Sequence, residues 1–163
     1  MIKLLFTLLF ISSPLSANVA DWKRGIAAVE SAKDGYVSIN PHTNALGKYQ
    51  FVPKWWWKSI TEYAIIKGVG ISSHQDFLNN AEFQEQFMEY VYTSQYLGQA
   101  DKIKQATGSE LSIEELAALI HFKGYSDALR WVKTKQDRTP DNNISIEKYL
   151  EIFNKYRISQ DGK

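Results

Sequence analysis

The stretch that decides the fold is NALGKYQFVPKWWW, Asn44–Trp57. A glycine precedes a Lys-Tyr-Gln-Phe run, and Pro53 then stands just before three consecutive tryptophans. Proline suits the first turn of a helix, because a helix start leaves its N–H groups without intrahelical partners anyway. The stretch therefore predicts a close turn that leads directly into an aromatic helix.

Residues 36–51, which run up to and through this turn, carry little helical periodicity. Val37 and Ile39 alternate with polar residues, and Asn-Pro and Leu-Gly pairs mark turns. We expect a long loop or a small hairpin here. A loop of this length inside a compact domain often carries function.

Seven helices are predicted from apolar periodicity and capping residues. Ser112 and Glu115 form a predicted capping box, and Ser145 is a predicted helix cap. Almost no strand pattern is present, so the predicted fold class is mainly α, in a single domain. The predicted helices lie in WKRGIAAVESAK after Asp21, PKWWWKSITEYAIIK, SSHQDFLNN, AEFQEQFMEYVYTSQYLGQADKIKQ, IEELAALIHFK, DALRWVKTK and IEKYLEIFNKY.

The N-terminal segment, residues 1–17, has the features of a secretory signal peptide. Lys3 is followed by an apolar run, a Ser-Ser-Pro break and a small residue at Ala17. We predict cleavage after Ala17, which leaves residues 18–163 as the domain. The run is too short for a permanent membrane span, so the processed chain is expected to have no integral membrane segment. A buried or interfacial first helix is the alternative.

Composition narrows the function classes. The formal net charge is +1, so the chain lacks the basic surplus expected of a nucleic-acid-binding protein. It contains no cysteine, which excludes thiol catalysis and cysteine-based zinc sites. Small secreted eukaryotic domains usually carry disulfides, so an exported chain without cysteine indicates a bacterial periplasmic or secreted protein.

Glu30 is the strongest candidate for chemistry. It lies near the end of the first predicted helix, where the negative end of the helix dipole disfavours a carboxylate anion. Burial by aromatic neighbours would act in the same direction. A carboxylic acid kept neutral near pH 7 can protonate a leaving oxygen, as glycosidic cleavage requires. The alternative is a solvated glutamate on a helix surface.

The segments AVES, INPHTNALGKYQFVP and AALIHFKGY occur in this order between Trp22 and Trp131. Together they resemble the lysozyme-like lytic transglycosylases, the group of the soluble lytic transglycosylases and goose-type lysozymes. In that family a helix ends in Glu-Ser, and an Asn-Pro loop with a Gly-x-Tyr/Met-Gln-Phe motif follows. A later helix carries an alanine-rich stretch that ends in an aromatic residue, an asparagine and a glycine.

The resemblance implies a lysozyme-like peptidoglycan-cleaving domain in which Glu30 is the single catalytic acid/base. Ser31 would help to orient it. Gly47, Tyr49 and Gln50 would form the floor of a glycan cleft. Glycine lets the backbone approach a ligand closely, and an amide both donates hydrogen bonds to a sugar and accepts them.

The implied mechanism needs one carboxylate, whereas most glycosidases use two. The N-acetyl group of the substrate acts as the partner, and the 6-hydroxyl of the muramyl residue closes a 1,6-anhydro ring. Asp34 is a candidate second acid, which would favour a hydrolytic muramidase. It is equally explained as a helix-end residue beside Gly35.

The third motif departs from the family pattern. His121 stands at the tyrosine position and Phe122 at the asparagine position. A histidine can replace the hydrogen bond of the tyrosine, but its charge varies with pH, and a buried core histidine is the alternative. His42 and His74 have no acidic partners at ligand spacing, so neither a metal site nor a cofactor is predicted.

Aromatic residues supply further candidates for sugar contact. Three consecutive tryptophans on one helix cannot all face the same core, so at least one should be exposed. Aromatic rings beside a cleft offer flat platforms to sugar faces. Tyr125 is the candidate retained as substrate-binding, and Tyr90, Tyr92 and Tyr96 are weaker ones.

Three hypotheses follow. The first is a lytic transglycosylase that acts on peptidoglycan glycan strands. The second is a hydrolytic muramidase, or a non-catalytic peptidoglycan-binding or assembly protein on the same fold. The third is a remodelling enzyme or effector that serves an envelope-spanning secretion or conjugation apparatus.

Overall fold

The computed structural model of the protein describes residues 14–31, 35–137 and 144–158, with side chains from residue 19 onward. All seven predicted helices are present in this part of the chain, so the mainly α fold class is confirmed. The long fourth helix is interrupted by a π-helical turn. The helices are α1 Pro14–Glu30, α2 Pro53–Lys67, α3 His74–Leu78, α4 Ala81–Val91, the π-helical turn Tyr92–Tyr96, α5 Leu97–Thr107, α6 Ile113–Lys123, α7 Tyr125–Thr134 and α8 Ile146–Arg157.

The predicted helix boundaries hold where local chemistry determines them. Pro53 is the first residue of α2, and Gly68 ends it with a left-handed φ of 65°. The Ser112 hydroxyl accepts from the Glu115 amide at 3.2 Å, and the Glu115 carboxylate accepts from the Ser112 amide at 2.7 Å. Ser145 caps α8. Each of these signals acts within about one helical turn, so neighbouring residues suffice to specify it.

The start of α1 differs from the prediction. The helix begins at Pro14 rather than after Asp21, and Asp21 pairs with Arg24 at 2.9 Å. Val19 and Trp22 are both buried, so the inward-facing stripe of α1 begins before Asp21. Residues 1–13 of the predicted signal peptide and Asp34 lie outside the described residues.

Residues 35–52, the connecting loop, join α1 to α2. The loop opens with a short 3₁₀ turn, Gly35–Val37, and contains isolated bridges that pair Leu46 with Ile39 and with Phe51. The Gly47 amide donates to the Ser38 carbonyl at 2.7 Å. The result is a compact loop with bridge-like pairing and no extended strands within its described residues.

The core beneath the connecting loop is aromatic. Phe51 is buried and lies 5.0 Å from Phe87 of α4 and 5.4 Å from Trp56 of α2, between ring centroids. Trp57 packs on His74, whereas Trp55 is 70% exposed. The expectation that at least one of the three tryptophans faces solvent is therefore confirmed.

The helices α1 and α8 pack closely against each other at Gly25. A Cβ atom on Gly25 would lie 2.5 Å from Cδ2 of Phe153 and 2.9 Å from its carbonyl oxygen. Only a residue without a side chain fits at this crossing. The contact brings α8 alongside α1, so that side chains of α8 reach the end of α1.

We expect Gly25→Ala to lower the free energy of unfolding, although alanine is the better helix former by about 1 kcal/mol. The added methyl group collides with the backbone of α8 as well as with a ring, and overpacking of this kind costs about 1–3 kcal/mol. Thermal and urea unfolding monitored by circular dichroism measure the effect. Gly98→Ala in α5 is the matched control, since nothing lies within 4 Å of its added Cβ. Equal or greater stability of Gly25→Ala relative to wild type would contradict this packing.

Candidate active site

Glu30, the last residue of α1, stands at the centre of the site. Its side chain is 19% exposed, so it is largely buried. The hydroxyl of Tyr149, a fully buried residue of α8, donates a hydrogen bond to Glu30 Oε1 at 2.9 Å. The first and last helices thus hold the acid between them.

His121 of α6 lies beside this carboxylate. Its Nε2 atom is 3.9 Å from Glu30 Oε1, beyond hydrogen-bond distance, and 2.9 Å from the carbonyl oxygen of Tyr49. Its Nδ1 atom is 3.1 Å from the hydroxyl of Tyr96. Burial lowers the pKa of His121 to about 4, although the hydrogen bond to Tyr49 opposes the shift. The imidazole is therefore neutral at neutral pH.

The two buried tyrosines remain hydrogen-bond donors at physiological pH. Burial raises the pKa of Tyr149 well above 10, and the charge of Glu30 and its hydrogen bond raise it further. Burial likewise raises the pKa of Tyr96, with a smaller contribution from Glu30. Neither phenol ionises near neutral pH, so each keeps its proton for donation.

Phe122 supports the tyrosine that holds Glu30. Its ring stacks on that of Tyr149 with centroids 4.1 Å apart and planes inclined by 12°. The Nζ atom of Lys123 lies 4.4 Å from the centroid of the Phe122 ring, on the ring face. Phe122 thus packs behind the Tyr149–Glu30 hydrogen bond.

The structure places Tyr49 and Gln50 next to the site, with their side chains engaged inside the protein. The Tyr49 ring is buried and its hydroxyl donates to Glu85 Oε1 at 2.7 Å, so only its carbonyl faces His121. The Gln50 amide donates to the Gly47 carbonyl at 2.9 Å and to the Ser38 hydroxyl at 3.3 Å. These contacts shape the connecting loop itself.

Position 47 needs a glycine because the side chain of Gln84 lies against its backbone. Its φ is +73°, and an added Cβ would collide with the side chain of Gln84. Gln84 is buried; its Oε1 accepts from the Lys48 amide at 3.0 Å. Its Nε2 donates to the carbonyls of Tyr36 and Phe77 at 3.0 and 2.9 Å. A ligand was expected to approach the Gly47 backbone closely. In the structure the side chain of Gln84 does so, and it fixes the loop from beneath.

Ser31 and Tyr125 lie at the margins of the site. The Ser31 hydroxyl donates to the Ala27 carbonyl one turn back in α1, at 3.4 Å. Tyr125 opens α7 and packs, partly buried, against the core. The hydrogen bond that orients Glu30 here comes from Tyr149.

Glu85 of α4 anchors the connecting loop to α1. Lys48 and Lys23 form ion pairs with it at 2.8 and 2.9 Å, and the hydroxyls of Tyr49 and Tyr36 donate to it at 2.7 and 2.8 Å. Burial alone would raise the pKa of Glu85, but these four donors outweigh it and lower the pKa to about 2. The carboxylate is therefore charged throughout the physiological range and holds the loop beside the site.

A separate groove lies between the 107–111 turn, Glu115 and Val132. Glu110 and Glu115 both line it, and Glu115 accepts hydrogen bonds from the Ser112 amide and from Asn154, both at 2.7 Å. Glu115 is thus committed to capping α6 and to holding α8. None of the predicted site residues lines this groove.

Sequence reasoning did not identify Tyr149 as a site residue. It lies 119 positions from Glu30, and its place in the α8 pattern indicates only a core position. Tyr96 was predicted as one of several weaker cleft aromatics and His121 was singled out from the third motif, but the contact between the two was not predicted. The π-helical turn that places Tyr96 has no sequence signal that we recognise.

No protein-family model, curated protein or solved structure matches the chain. Within the described ranges, no cluster of three or more His, Asp or Glu side chains is arranged to bind a metal ion. None of the helices in that same part of the chain combines the length and hydrophobicity that a bilayer span requires.

We expect Glu85→Gln to destabilise the protein at pH 7 by about 2–3 kcal/mol, because each unit of pKa shift corresponds to about 1.4 kcal/mol. The folded pKa, about 2, lies below the ordinary value of 4.5. The stabilisation is therefore present above about pH 4.5 and is lost as the pH falls towards 2.

Urea unfolding of wild type and Glu85→Gln between pH 2 and pH 7 measures this difference. Glu89→Gln is the matched control, since Glu89 is exposed on the same helix and lies 3.7 Å from Lys23. A constant difference between wild type and Glu85→Gln over the whole pH range would contradict the assignment.

Proposed function

We propose that the protein is a peptidoglycan lytic transglycosylase that cleaves the β-1,4 bond between N-acetylmuramic acid and N-acetylglucosamine, with Glu30 as its single acid/base. One observation carries the proposal: the Glu30 carboxylate, on a side chain that is 19% exposed, accepts a hydrogen bond from the buried Tyr149 beside a neutral His121. The Glu-Ser and Gly-Lys-Tyr-Gln-Phe motifs agree with it, as does the mainly α fold, for which we propose a lysozyme-like arrangement.

The environment of Glu30 supports its role as an acid. The side chain is mostly buried at the C-terminal end of α1. Burial and the helix dipole act against the anion, whereas the hydrogen bond from Tyr149 acts in its favour. Because Oε1 accepts from Tyr149, the proton of the neutral acid belongs on Oε2. His121 is uncharged and so does not draw Glu30 into an ion pair at neutral pH.

In the first step, Glu30 Oε2 gives its proton to the glycosidic oxygen and the bond from that oxygen to C1 of the muramyl residue breaks. The N-acetyl carbonyl oxygen of the same residue bonds to C1, and N-acetylglucosamine leaves as an alcohol. The carboxylate then removes the proton from the 6-hydroxyl, whose oxygen displaces the acetamido oxygen at C1. The 1,6-anhydro ring closes, Glu30 recovers its proton, and no water is consumed.

Tyr149 supports the carboxylate between these two steps. Its hydrogen bond to Oε1 stabilises the anion after Glu30 has released its proton, and charge-assisted bonds of this kind contribute about 1.5–3 kcal/mol. The same bond fixes the direction in which Oε2 points. One group thus assists both the acid and the base step.

The proposed cellular location agrees with a cell-wall substrate. We propose export by cleavage after Ala17 and activity of residues 18–163 in the periplasm or outside a bacterial cell. The partners are glycan strands, and a secretion or conjugation apparatus is a candidate user of local cleavage.

We expect purified protein to release 1,6-anhydromuramyl products from sacculi, and Glu30→Gln to reduce the rate by at least about 10²–10⁴-fold, because the amide cannot transfer a proton. Mass spectrometry of the soluble fragments distinguishes the candidate functions. Products with reducing ends would identify a hydrolytic muramidase. Binding to sacculi without release, identical in wild type and Glu30→Gln, would identify a non-catalytic binding protein.

We expect Tyr149→Phe to lower kcat by about 10–100-fold with little change in KM, because it removes the hydrogen bond to Glu30 and keeps the stacked ring. The assay is product release from sacculi at saturating substrate. Tyr156→Phe is the control on the same helix, since Tyr156 is 47% exposed. Unchanged kcat in Tyr149→Phe would show that this hydroxyl takes no part in turnover.

A further inference from the structure

The imidazole of His121 is held by both of its nitrogens. A carbonyl oxygen only accepts hydrogen bonds, so the 2.9 Å contact with Tyr49 requires the proton on Nε2. In the neutral ring Nδ1 then carries the lone pair, and the hydroxyl of Tyr96 donates to it at 3.1 Å. The two partners therefore select one tautomer, with the proton on the nitrogen nearer to Glu30.

The surroundings of the ring keep it uncharged. The His121 side chain is 4% exposed, and the rings of Trp22 and Phe51 lie edge-on to it with centroids 6.4 and 5.9 Å away. The titratable groups that face it are Glu30 of α1 and Tyr96 of the π-helical turn. Tyr149 of α8 donates to the same Glu30 oxygen that lies 3.9 Å from His121 Nε2. Protonation of His121 at Nδ1 would point the new proton at the Tyr96 hydroxyl, which donates its own hydrogen bond to Nδ1.

The π-helical turn supplies this arrangement. A turn of this kind inserts a wider step into an otherwise α-helical run, and such turns are frequent at functional sites. Tyr92 and Tyr96, at its two ends, both pack on Trp22 with ring centroids 4.3 and 5.9 Å away. Tyr96 is thereby held beneath His121, and α4 and α5 continue on either side.

We propose that His121 is a positioning residue of the Glu30 site: a neutral N–H donor that ties the Tyr49 carbonyl, and so the connecting loop, beside the carboxylate. The proposal rests on the proposed function. In this role, His121 sets the distance between the connecting loop and the Glu30 carboxylate. It also keeps positive charge away from Glu30. A charged ring 3.9 Å from Oε1 would stabilise the Glu30 anion and remove the proton that the reaction needs.

The tautomer is tested directly by long-range proton–nitrogen NMR spectra of the purified protein. The chain has three histidines, so His42→Gln and His74→Gln assign the signals. We expect Nε2 to be protonated and Nδ1 unprotonated at pH 7, with a titration midpoint near 4. A protonated Nδ1, or a midpoint near the ordinary 6.5, would overturn the proposal without any measurement of activity.

The role is tested by two variants. His121→Gln keeps one hydrogen-bond donor and one acceptor at similar reach, and it has no charge at any pH. His121→Phe keeps an aromatic ring but loses the donor and the acceptor. We expect kcat on sacculi within about 3-fold of wild type for His121→Gln and about 10–100-fold lower for His121→Phe. Wild-type activity should fall as the pH drops through about 4, and His121→Gln should lose this limb of the profile. His74→Gln is the control, since that ring packs on Trp57.

A purely structural role predicts a different result: both variants lose stability, and the shape of the pH profile stays the same. That result, or wild-type kcat in His121→Phe, overturns the positioning role while the proposed function stands. Absence of anhydromuramyl products from wild type would overturn the proposed function itself, and the positioning role with it. The NMR result separates these cases, because it reports the hydrogen bonds of His121 without turnover.

Discussion

The hydrogen bond from Tyr149 to Glu30 is the constraint on which the proposed site depends. It joins residues 119 positions apart and closes the first described helix against the last. It forms because Gly25 lets α8 approach α1 and because Phe122 stacks behind the Tyr149 ring. The carboxylate is consequently held in one orientation at the edge of the core. A glutamate in solvent at a frayed helix end would have no fixed direction.

A second set of contacts brings the connecting loop to the same place. Gln84 binds the loop from below through the Lys48 amide and the Tyr36 carbonyl. Glu85 binds it from the side through Lys48, Tyr36 and Tyr49, and pairs with Lys23 of α1. These groups are buried or half-buried, so each unsatisfied partner would be costly. The loop is thus a rigid part of the domain despite its lack of regular structure. His121 contacts the connecting loop through the Tyr49 carbonyl.

The sequence predicted the local features well and the long-range ones poorly. The Ser112–Glu115 box and the ends of α2 depend on residues within a turn of each other, and a single chain displays them fully. The start of α1 was missed because Val19 and Trp22 are buried by tertiary packing, which local caps do not report.

The site shows the same division. Glu30 and His121 were identified from motifs, and the structure brings them to within 3.9 Å of each other. Tyr149 was not identified, because its role depends on how α8 crosses α1. The side chains of Tyr49 and Gln50 were expected to face a sugar, but their hydrogen bonds serve the loop, and a motif does not show which partner an amide or phenol selects.

The most direct test of a sugar-cleaving acid at Glu30 is a crystal structure of Glu30→Gln with a muramyl-containing oligosaccharide. We expect the glycosidic oxygen to lie within about 2.6–3.2 Å of the side chain at position 30, on the side away from Tyr149. An oligosaccharide that binds elsewhere, with position 30 covered by the protein, would contradict it.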